Sequence, residues 1–477
     1  MKIPYIILLS LLSLTAVAEE YGQCPENHCG LKSALIKKVC DNKKLPVAFL
    51  EYQGDFCWCQ CSCVAGNTLI SVPGDADRAI ETIAIGDTVL ALNNGQWKPS
   101  AVTYSGAGGP KPERPYPYAV FVQLDNGASL VTTSDHAFVL SDKSLKRADR
   151  LVPTDILLAK DLQPLRIKAL SVGQYFGSLV NITTDAPTNS NSLDGHVIST
   201  NGVLSGDFFV QNNLIPQSQL QLEQIGSSLY QSKYKSSEVI SAKAMSALVK
   251  EGVIDLGEGR KFVPYKEVNT PKDAVSFLPK GQDIPRNDLL QTLDASVPYE
   301  IAEYVIWQFK RFYPEINFVI DWTNDVANAY AWQQNGQKYV SITGGLIRNI
   351  HIKQEAVGLV LSHEMGHHYG GLPRYTQSGN TWASCEGQSD YWGALVAQRQ
   401  VWWGAEGLRQ TKEGGKQLYN FFAYGLIGGS QIANPIKAAS DCSHPPAWCR
   451  LETYEAATRL DNKPACAGPT AESLNKP

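Results

Sequence analysis

Methionine and charged residues are both scarce in this chain of 477 residues, and each shortage argues against one kind of site or partner. Methionine occurs three times, and none follows Met365. Charged residues make up 18% of the chain and the formal net charge is −4, so no basic surface for a nucleic acid is indicated. Repeats of solenoid period are missing, and no apolar run after the N-terminus is long enough for an integral membrane span. The composition is that of a globular protein whose length predicts several domains.

The first eighteen residues have the pattern of an export signal. Lys2 provides a positive start, residues 3–14 are almost wholly apolar, and residues 16–18 are small, as a signal peptidase requires. We therefore expect a chain that is exported, either to the periplasm or out of the cell. An uncleaved membrane anchor is the alternative.

The eleven cysteines form two even groups and leave one over. The N-terminal group is Cys24, Cys29, Cys40, Cys57, Cys59 and Cys61, and the C-terminal group is Cys385, Cys442, Cys449 and Cys466. In an exported protein, such groups indicate three and two disulfides. The alternating cysteines over 57–61 share one face of an extended chain, which favours pairing with the first three; a metal site on that row is the alternative. Cys63 stays unpaired.

The pattern of apolar residues predicts a multidomain protein with an all-β domain followed by an α+β domain. We expect a signal peptide over 1–18, a cysteine-rich segment over 19–62, the all-β domain over 63–212, a linker with a helical element over 213–290 and the α+β domain over 291–477. The expected strands include Thr68–Val72, Thr88–Leu92, Ala119–Leu124, Ala137–Leu140 and Phe208–Val210, broken by turn residues and an exposed loop over 106–117. The expected helices are Ala302–Phe312, Gln354–His368 and Trp382–Trp402, around a β-like Tyr339–Thr343, with a short helix within Ser241–Lys250.

The sequence His-Glu-Met-Gly-His at residues 363–367 has the spacing of a metal site on a helix. Residues four apart lie on one helical face, so His363 and His367 can both reach one ion. Glu364 lies beside that face, where its carboxylate can take a proton from metal-bound water. The apolar run before the motif and the two glycines after it predict a buried helix that ends there.

A catalytic zinc ion needs a third protein ligand and an open position. One known pattern places a histidine six residues after His367 and a methionine turn later; position 373 is Pro373 and no methionine follows, so this pattern is excluded. The other pattern places a glutamate on a second helix with an aspartate four residues later, as Glu386 and Asp390 do. Glu386 is therefore the expected third ligand of one Zn²⁺ ion. Asp390 is expected to accept the N–H of a liganding histidine.

These three parts together resemble a gluzincin metallopeptidase, and in particular the HtpX-like and CAAX-prenyl-protease relatives. A stretch that begins with Asn328, Ala329, Tyr330 and Ala331 and continues over 339–346 is similar to the hairpin before the zinc helix in that family. The resemblance implies a zincin-like fold, and it implies that the strand Asn328–Ala331 lies along a bound peptide or protein substrate. An ordinary sheet edge is the alternative for that strand.

The resemblance implies hydrolysis of a peptide bond by zinc-activated water, with Glu364 moving the proton. A further donor to the developing oxyanion is usual in such a reaction. His444 is the candidate because it is the only histidine in the sequence after residue 368, and a structural role is the alternative. Tyr424 and Tyr454 are further candidates.

A second set of motifs begins at the unpaired cysteine, Cys63. Cys63-Val64-Ala65-Gly66-Asn67-Thr68, the stretch over 85–90, and Thr133-Ser134-Asp135-His136 resemble a Hint domain, the autoprocessing fold of hedgehog proteins and inteins. The resemblance implies that Cys63 attacks the carbonyl of Ser62 and converts the peptide bond to a thioester. It also implies that Thr133 and His136 hold and protonate the leaving amide nitrogen. A Hint fold without activity is the alternative.

We therefore expect an exported zinc metalloendopeptidase whose Hint domain removes residues 19–62 by self-cleavage. A second interpretation is a toxin-like payload that the Hint domain processes for delivery into other cells. A third is a binding protein with disulfides and no active site. The sequence predicts a peptide or protein substrate and no nucleic-acid partner, and it leaves the oligomeric state open.

Overall fold

The structure is a computed structural model that describes residues 47–52, 55–60, 64–106, 115–187, 192–246, 248–376, 379–433 and 442–469. The predictions for the export signal over 1–18 and for Cys63 lie outside the described residues, as does most of the expected loop over 106–117. Cys57 and Cys59 lie on a strand, Asp55–Gln60, that pairs antiparallel with Val47–Tyr52.

Short strands make up most of the region from Val64 to Gly206, so the prediction of an all-β domain is confirmed. In chain order the strands are β1 (Val47–Tyr52), β2 (Asp55–Gln60), β3 (Val64–Ala65), β4 (Leu69–Val72), β5 (Ala76–Ala79), β6 (Thr88–Asn93), β7 (Gln96–Ser105), β8 (Tyr116–Leu124), β9 (Ser129–Thr132), β10 (Ala137–Val139), β11 (Leu145–Arg147), β12 (Ile156–Leu158), β13 (Pro164–Phe176), β14 (Leu179–Val180), β15 (Ile182–Thr184), β16 (Val197–Thr200) and β17 (Val203–Gly206). One sheet has the order β11-β10-β17-β16-β6-β7-β15, and the other begins β14-β3-β9-β8-β13.

Alternation and turn chemistry explain these strands. Val89 and Ala91 in β6 are fully buried, whereas Thr88 is exposed, as one face of a sheet packed on a core requires. The β6–β7 hairpin turns at Asn94 and Gly95, which both have positive φ (49° and 74°). This backbone is the one that a two-residue hairpin favours and that asparagine and glycine adopt most easily.

One predicted strand is wrong. Phe208–Val210 was expected to be extended, but it begins a helix, α1 (Phe208–Asn213). The side chain of Asp207 accepts hydrogen bonds from the backbone N–H groups of Phe209 and Val210, so it caps the first turn. An aspartate in this position satisfies two donors that a strand would have paired elsewhere, which favours the helix.

The segment over 213–290, for which we expected a linker with a helical element, contains short helices and also contributes strands to the β region. After α2 (Ser228–Tyr234) and α3 (Ala242–Ser246), the hairpin of β18 (Ile254–Gly257) and β19 (Arg260–Pro264) extends the second sheet, because β19 pairs antiparallel with β13. The segment is therefore more than a connection. The charged residues around the β18–β19 turn obscure its strand pattern in the sequence.

The C-terminal region mixes helices with a small sheet, as predicted. Its strands are β20 (Val275–Ser276), β21 (Ile316–Asp321), β22 (Ala329–Gln334) and β23 (Gln337–Thr343) in the order β20-β22-β23-β21, with β21 and β23 parallel. Its helices are α4 (Ser296–Lys310), α5 (Gly344–Ile347), α6 (Gln354–Tyr369), α7 (Glu386–Trp392), α8 (Gln398–Val401), α9 (Ala405–Asn420), α10 (Gly429–Ala433) and α11 (Ala447–Arg459). The expected helix over 382–402 begins at Glu386, and a π-helical turn over 393–397 joins α7 to α8.

The C-terminal disulfides are Cys385–Cys442 and Cys449–Cys466 among the described residues, in agreement with the expected two. The first joins the residue before α7 to the segment before α11, and the second joins α11 to the chain after it. Among the described residues, no helix combines the length and the apolar character needed to cross a lipid bilayer.

A buried polar network links the β region to the C-terminal region. Ser134 Oγ donates to Asp294 Oδ2 (2.9 Å), and Gln224 Nε2 donates to both Asp294 Oδ1 (3.0 Å) and Asp149 Oδ2 (3.1 Å). Buried polar atoms that satisfy one another in this way fix the relative position of the elements that carry them. The loop over 133–136 is therefore held next to the start of α4.

Candidate metal centre

The central helix α6 and the shorter helix α7 approach each other closely at Gly366. A Cβ atom on Gly366 would lie 2.6 Å from the Cα of Ser389, so only glycine permits this contact. Since His363 and His367 lie on the same face of α6, the contact brings Glu386 and Asp390 of α7 opposite both imidazoles. All four side chains are buried.

Three ligand atoms converge between the two helices. His363 Nε2 lies 3.2 Å from His367 Nε2 and 3.2 Å from Glu386 Oε2, and His367 Nε2 lies 3.7 Å from Glu386 Oε1. Two nitrogen ligands of a tetrahedral zinc ion, at about 2.0–2.1 Å from it, are about 3.3 Å apart. The structure thus brings together the histidines and the glutamate that the sequence singled out as ligands.

The other ring nitrogen of each histidine is already engaged. His363 Nδ1 donates to Asp390 Oδ1 (2.8 Å), and His367 Nδ1 donates to the backbone oxygen of Ser384 (2.8 Å), with Ser389 Oγ also within 3.0 Å. With Nδ1 carrying the proton, both Nε2 atoms present lone pairs to the same point. Two lone pairs and a carboxylate in a buried pocket call for a cation, and this donor set is one that zinc prefers.

The pKa values of the histidines and of Glu386 also indicate that this site favours a positive charge. Burial acts to lower the pKa of His363, but the Asp390 carboxylate outweighs it and raises that pKa to about 9. Burial lowers the pKa of His367 to about 3. Burial acts to raise the pKa of Glu386, but His444 and the two other histidines hold it below its usual value. A proton on His363 therefore supplies the charge that a divalent ion would supply in its place.

Helix α11 supplies two side chains that the sequence did not reveal in this role. Arg450 Nη2 donates to Asp390 Oδ1 (2.8 Å), and Tyr454 OH donates to the same oxygen (2.8 Å). Tyr454 was a candidate oxyanion donor; its hydroxyl instead binds the aspartate behind His363. Both residues lie one helical turn apart on α11, but nothing in their local pattern indicates that this helix packs behind α7. Tyr375 OH donates to Glu386 Oε1 (2.6 Å) and was also missed.

Glu364 has the environment expected of a proton acceptor. Its side chain is fully buried, and among the described residues neither carboxylate oxygen has a hydrogen-bonding partner. Burial is the largest cause that raises the pKa of Glu364, to about 8. A carboxylate with both oxygens unoccupied, next to the converging ligand atoms, can accept a proton from water there.

His444 also lies at this site. Its Nε2 donates to the backbone oxygen of Ser276 (2.7 Å) and lies 3.5 Å from Glu386 Oε2. The side chain is partly exposed, in contrast to the two candidate ligand histidines. A ring N–H so close to the candidate ligand Glu386 can donate to an oxygen that binds beside the ion.

The strand expected to accept a substrate does not present an open edge. β22 begins at Ala329, with Asn328 directly before it, and its outer side pairs with β20: Ser276 lies opposite Tyr330 and Val275 opposite Ala331. A segment of the same chain therefore occupies the edge on which the resemblance implies a bound peptide. The sequence could not show this, because the two strands lie more than fifty residues apart.

The loop with the Hint-like residues is buried in the β region. Thr133 Oγ1 donates to Asp135 Oδ1 (2.7 Å), and His136 Nδ1 accepts a hydrogen bond from Gln211 Nε2 (2.9 Å). Burial lowers the pKa of His136 to about 3, so its ring is neutral. Within the described part of the chain, His136 Nε2 has no hydrogen-bonding partner. Val64, the residue after Cys63 in the sequence, pairs with the residue before Thr133.

Solved intein structures are similar to part of this chain at low identity. A bacterial intein-like domain from Clostridium thermocellum is 22% identical, with 31% of this chain and 100% of that one covered and a TM-score of 0.25. A DnaB intein from Synechocystis sp. PCC 6803 is 14% identical, with 31% and 98% covered and a TM-score of 0.24. The gp41-1 intein is 18% identical, with 31% and 98% covered and a TM-score of 0.24.

No curated protein matches the chain. A family model does match the C-terminal region, over part of α4, the sheet from β21 to β23 and the whole of α6. Residues 299–384, which carry His363, Glu364 and His367, match the model of Peptidase family M48.

Proposed function

We propose that the C-terminal region is a zinc-dependent endopeptidase. The observation that carries the proposal is the convergence of His363, His367 and Glu386 on one point, next to the unpartnered carboxylate of Glu364. A structural zinc site would have four protein ligands and no such carboxylate beside it. The match to a peptidase family supports the same reaction class.

In the proposed hydrolysis, each residue of the candidate metal centre has a separate role. His363, His367 and Glu386 would hold Zn²⁺, which when bound lowers the pKa of a water molecule and polarises a carbonyl group. Glu364 takes a proton from the attacking water and returns it to the leaving amine. Asp390 holds the His363 ring with Nε2 towards the ion. His444 donates from Nε2 to the carbonyl oxygen of the substrate, where negative charge develops.

The substitution Glu364→Gln tests the proposal. It keeps the size of the side chain and removes its ability to take a proton, so hydrolysis should fall by at least about a hundredfold while zinc still binds. Glu413→Gln makes the same change on an exposed helix surface and is the matched control. Zinc content and cleavage of unfolded protein are measured for both. Wild-type activity in Glu364→Gln would refute the assignment, and zinc-free inactive protein would favour a binding protein without an active site.

We further propose that residues 63–212 are a Hint domain that cuts the chain before Cys63. The unpartnered, buried Nε2 of His136 in the described structure supports it, since a neutral imidazole there can donate to a leaving amide nitrogen. The Cys63 sulfur bonds to the carbonyl carbon of Ser62, the C–N bond breaks, and the thiol proton passes to the Cys63 nitrogen. Water then hydrolyses the thioester. A new terminus at Cys63, lost in Cys63→Ala, is expected by mass spectrometry; its absence from the wild type would refute self-cleavage.

We also propose that the protein is exported, on the basis of its first eighteen residues. N-terminal sequencing of protein from the culture medium and the periplasm should find Glu19 or a later residue first. Detection of Met1 in an exclusively cytoplasmic product would contradict export. Uptake of the processed C-terminal part by neighbouring cells would instead indicate a toxin-like payload.

A further inference from the structure

The segment over 275–278 lies on β22 in the manner of a bound peptide. Phe277 N–H donates to the backbone oxygen of Ala329 (3.0 Å), and Leu278 N–H donates to Asn328 Oδ1 (2.9 Å). Asn328 Nδ2 returns a hydrogen bond to the backbone oxygen of Leu278 (3.1 Å). Main-chain pairing of this kind is how an extended peptide adds to a sheet edge. The site is therefore occupied by a stretch of its own chain.

The peptide bond between Ser276 and Phe277 is connected to the candidate metal centre through His444. The carbonyl oxygen of Ser276 accepts the hydrogen bond from His444 Nε2 (2.7 Å). The same nitrogen lies 3.5 Å from Glu386 Oε2, one of the three converging ligand atoms. This carbonyl therefore meets the donor that would stabilise an oxyanion, at the edge of the position for an ion.

Phe277, the residue after this bond, makes contacts through both its side chain and its backbone. The Phe277 ring is fully buried, with its centroid 5.1 Å from that of His363 and 5.7 Å from that of Phe422. The Arg450 guanidinium lies 4.0 Å from the ring centroid, and Arg450 Nη1 donates to the carbonyl oxygen of Phe277 (3.0 Å). An aromatic side chain thus fills a buried pocket that His363, Phe422 and Arg450 line.

We propose that the peptidase cuts its own chain between Ser276 and Phe277, an inference that rests on the proposed function. The oxygen of a water molecule bonds to the carbonyl carbon of Ser276, and Glu364 takes the proton. The C–N bond then breaks, and that proton passes to the nitrogen of Phe277. The products are a carboxylate on Ser276 and an amino group on Phe277, with water as the co-reactant. The pocket around Phe277 also assigns the substrate class: peptides with an aromatic residue directly after the cut.

The cut would change what the site can bind. Before it, the segment over 275–278 is tied upstream to β19, whose next residue, Tyr265, donates its N–H to the backbone oxygen of Val172 in the β region (2.9 Å). While that connection is intact, the segment stays at the site at a high effective concentration. After the cut, the ends at Ser276 and Phe277 are no longer joined to each other, each is held at β22 by fewer contacts than the intact segment, and an added peptide can compete with them. The intact chain is therefore a latent peptidase.

The test begins with full-length protein purified in a chelator and then given Zn²⁺. Intact-mass measurement and N-terminal sequencing should find a new terminus at Phe277, at a rate that does not change over a tenfold dilution. Glu364→Gln should stay intact, and Glu413→Gln should be cut at the wild-type rate. A terminus at any other residue near the site, or cutting that slows in proportion to dilution, would overturn the proposal.

A second readout does not depend on hydrolysis. In the Glu364→Gln background without added metal, hydrogen exchange should show protection of the Phe277 and Leu278 amides, which donate to the backbone oxygen of Ala329 and to the Asn328 side chain. Val275→Pro removes a backbone N–H from β20 and should raise their exchange rates at least about tenfold. Equally fast exchange in both proteins would mean that the segment does not occupy the edge, which would overturn the proposal.

Zinc-loaded Val275→Pro protein separates a failure of this proposal from a failure of the proposed function. It is given a synthetic peptide of residues 271–282, and the same peptide with aspartate in place of the phenylalanine as the control. The first should be cut before phenylalanine at least about tenfold faster. If added peptides are hydrolysed but the full-length wild type never cuts itself, self-cleavage is refuted and the peptidase stands. If neither the chain nor any peptide is cut, both are refuted.

Discussion

We predict that the buried pair Asp390–Arg450 stabilises the candidate metal centre. Asp390 Oδ1 accepts hydrogen bonds from His363 Nδ1, Arg450 Nη2 and Tyr454 OH, each at 2.8 Å. The side chains of Asp390 and Arg450 are 0% and 2% exposed. Their charges are therefore paired away from water. We consider the substitutions Asp390→Asn and Arg450→Met, separately and together.

Each single substitution removes one member of the buried Asp390–Arg450 pair and leaves the other without it. Breaking a buried pair in this way costs about 3–5 kcal/mol, whereas replacing both partners removes the unpaired charge as well. If the residues acted independently, the double variant would lose about 6–10 kcal/mol. We expect it to lose no more than the worse single variant, so that the coupling free energy is at least as large as the smaller single loss, about 3 kcal/mol.

Urea unfolding of metal-free protein in the Glu364→Gln background measures these losses without interference from hydrolysis. Eight of the ten tryptophans lie between Trp307 and Trp448, so their fluorescence reports on the C-terminal region. Arg286→Met breaks an exposed pair with Asp288 and should cause no measurable loss. Single losses that add to within about 0.5 kcal/mol in the double variant would refute the reasoning.

Three further predictions concern the same region. Gly366→Ala should lower the free energy of unfolding by about 1–3 kcal/mol and weaken zinc binding, because its Cβ would lie 2.6 Å from Ser389 Cα. Gly358→Ala, whose Cβ would meet side-chain atoms only, none closer than 3.3 Å, is the milder control in urea unfolding, and equal effects of the two substitutions would contradict this reason. Replacing Cys449 and Cys466 together by serine should cost about 3 kcal/mol, since they close a loop over a separation of 17 residues; an unchanged urea midpoint would disprove it. Removal of the metal with a chelator should lower the melting temperature. Zinc added at about a hundred times its dissociation constant should raise the free energy of unfolding by about 2.7 kcal/mol. A melting temperature that does not change when zinc is added would rule out a buried zinc site.

The sequence alone singled out the candidate ligands, because the spacing that places them on one face of a helix is local. Four residues make about one turn of a helix, so the spacing of His363 and His367 fixes their shared face wherever the helix lies. The spacing of Glu386 and Asp390 does the same for the second helix. The alternation of apolar residues between Val64 and Gly206 likewise predicts strands without reference to the rest of the chain.

Local patterns failed where a single capping side chain or a distant strand decided the outcome. The apolar run over 208–210 is helical because Asp207 caps it, and β19 belongs to a sheet in which its partner, β13, lies far upstream in the sequence. Neither the cap nor the distant partner alters the pattern of apolar residues from which we predicted the secondary structure. The boundary between the β region and the linker was therefore not visible in the sequence.

Only the tertiary structure decided what surrounds the candidate zinc site. Arg450 and Tyr454 reach Asp390 across about sixty residues of sequence, and β20 reaches the edge of β22 across more than fifty. Such contacts depend on how helices and strands pack, and packing is set by the whole core rather than by a local spacing. The sequence thus specified which side chains can share an ion, and the fold specified which distant side chains and which strand surround them.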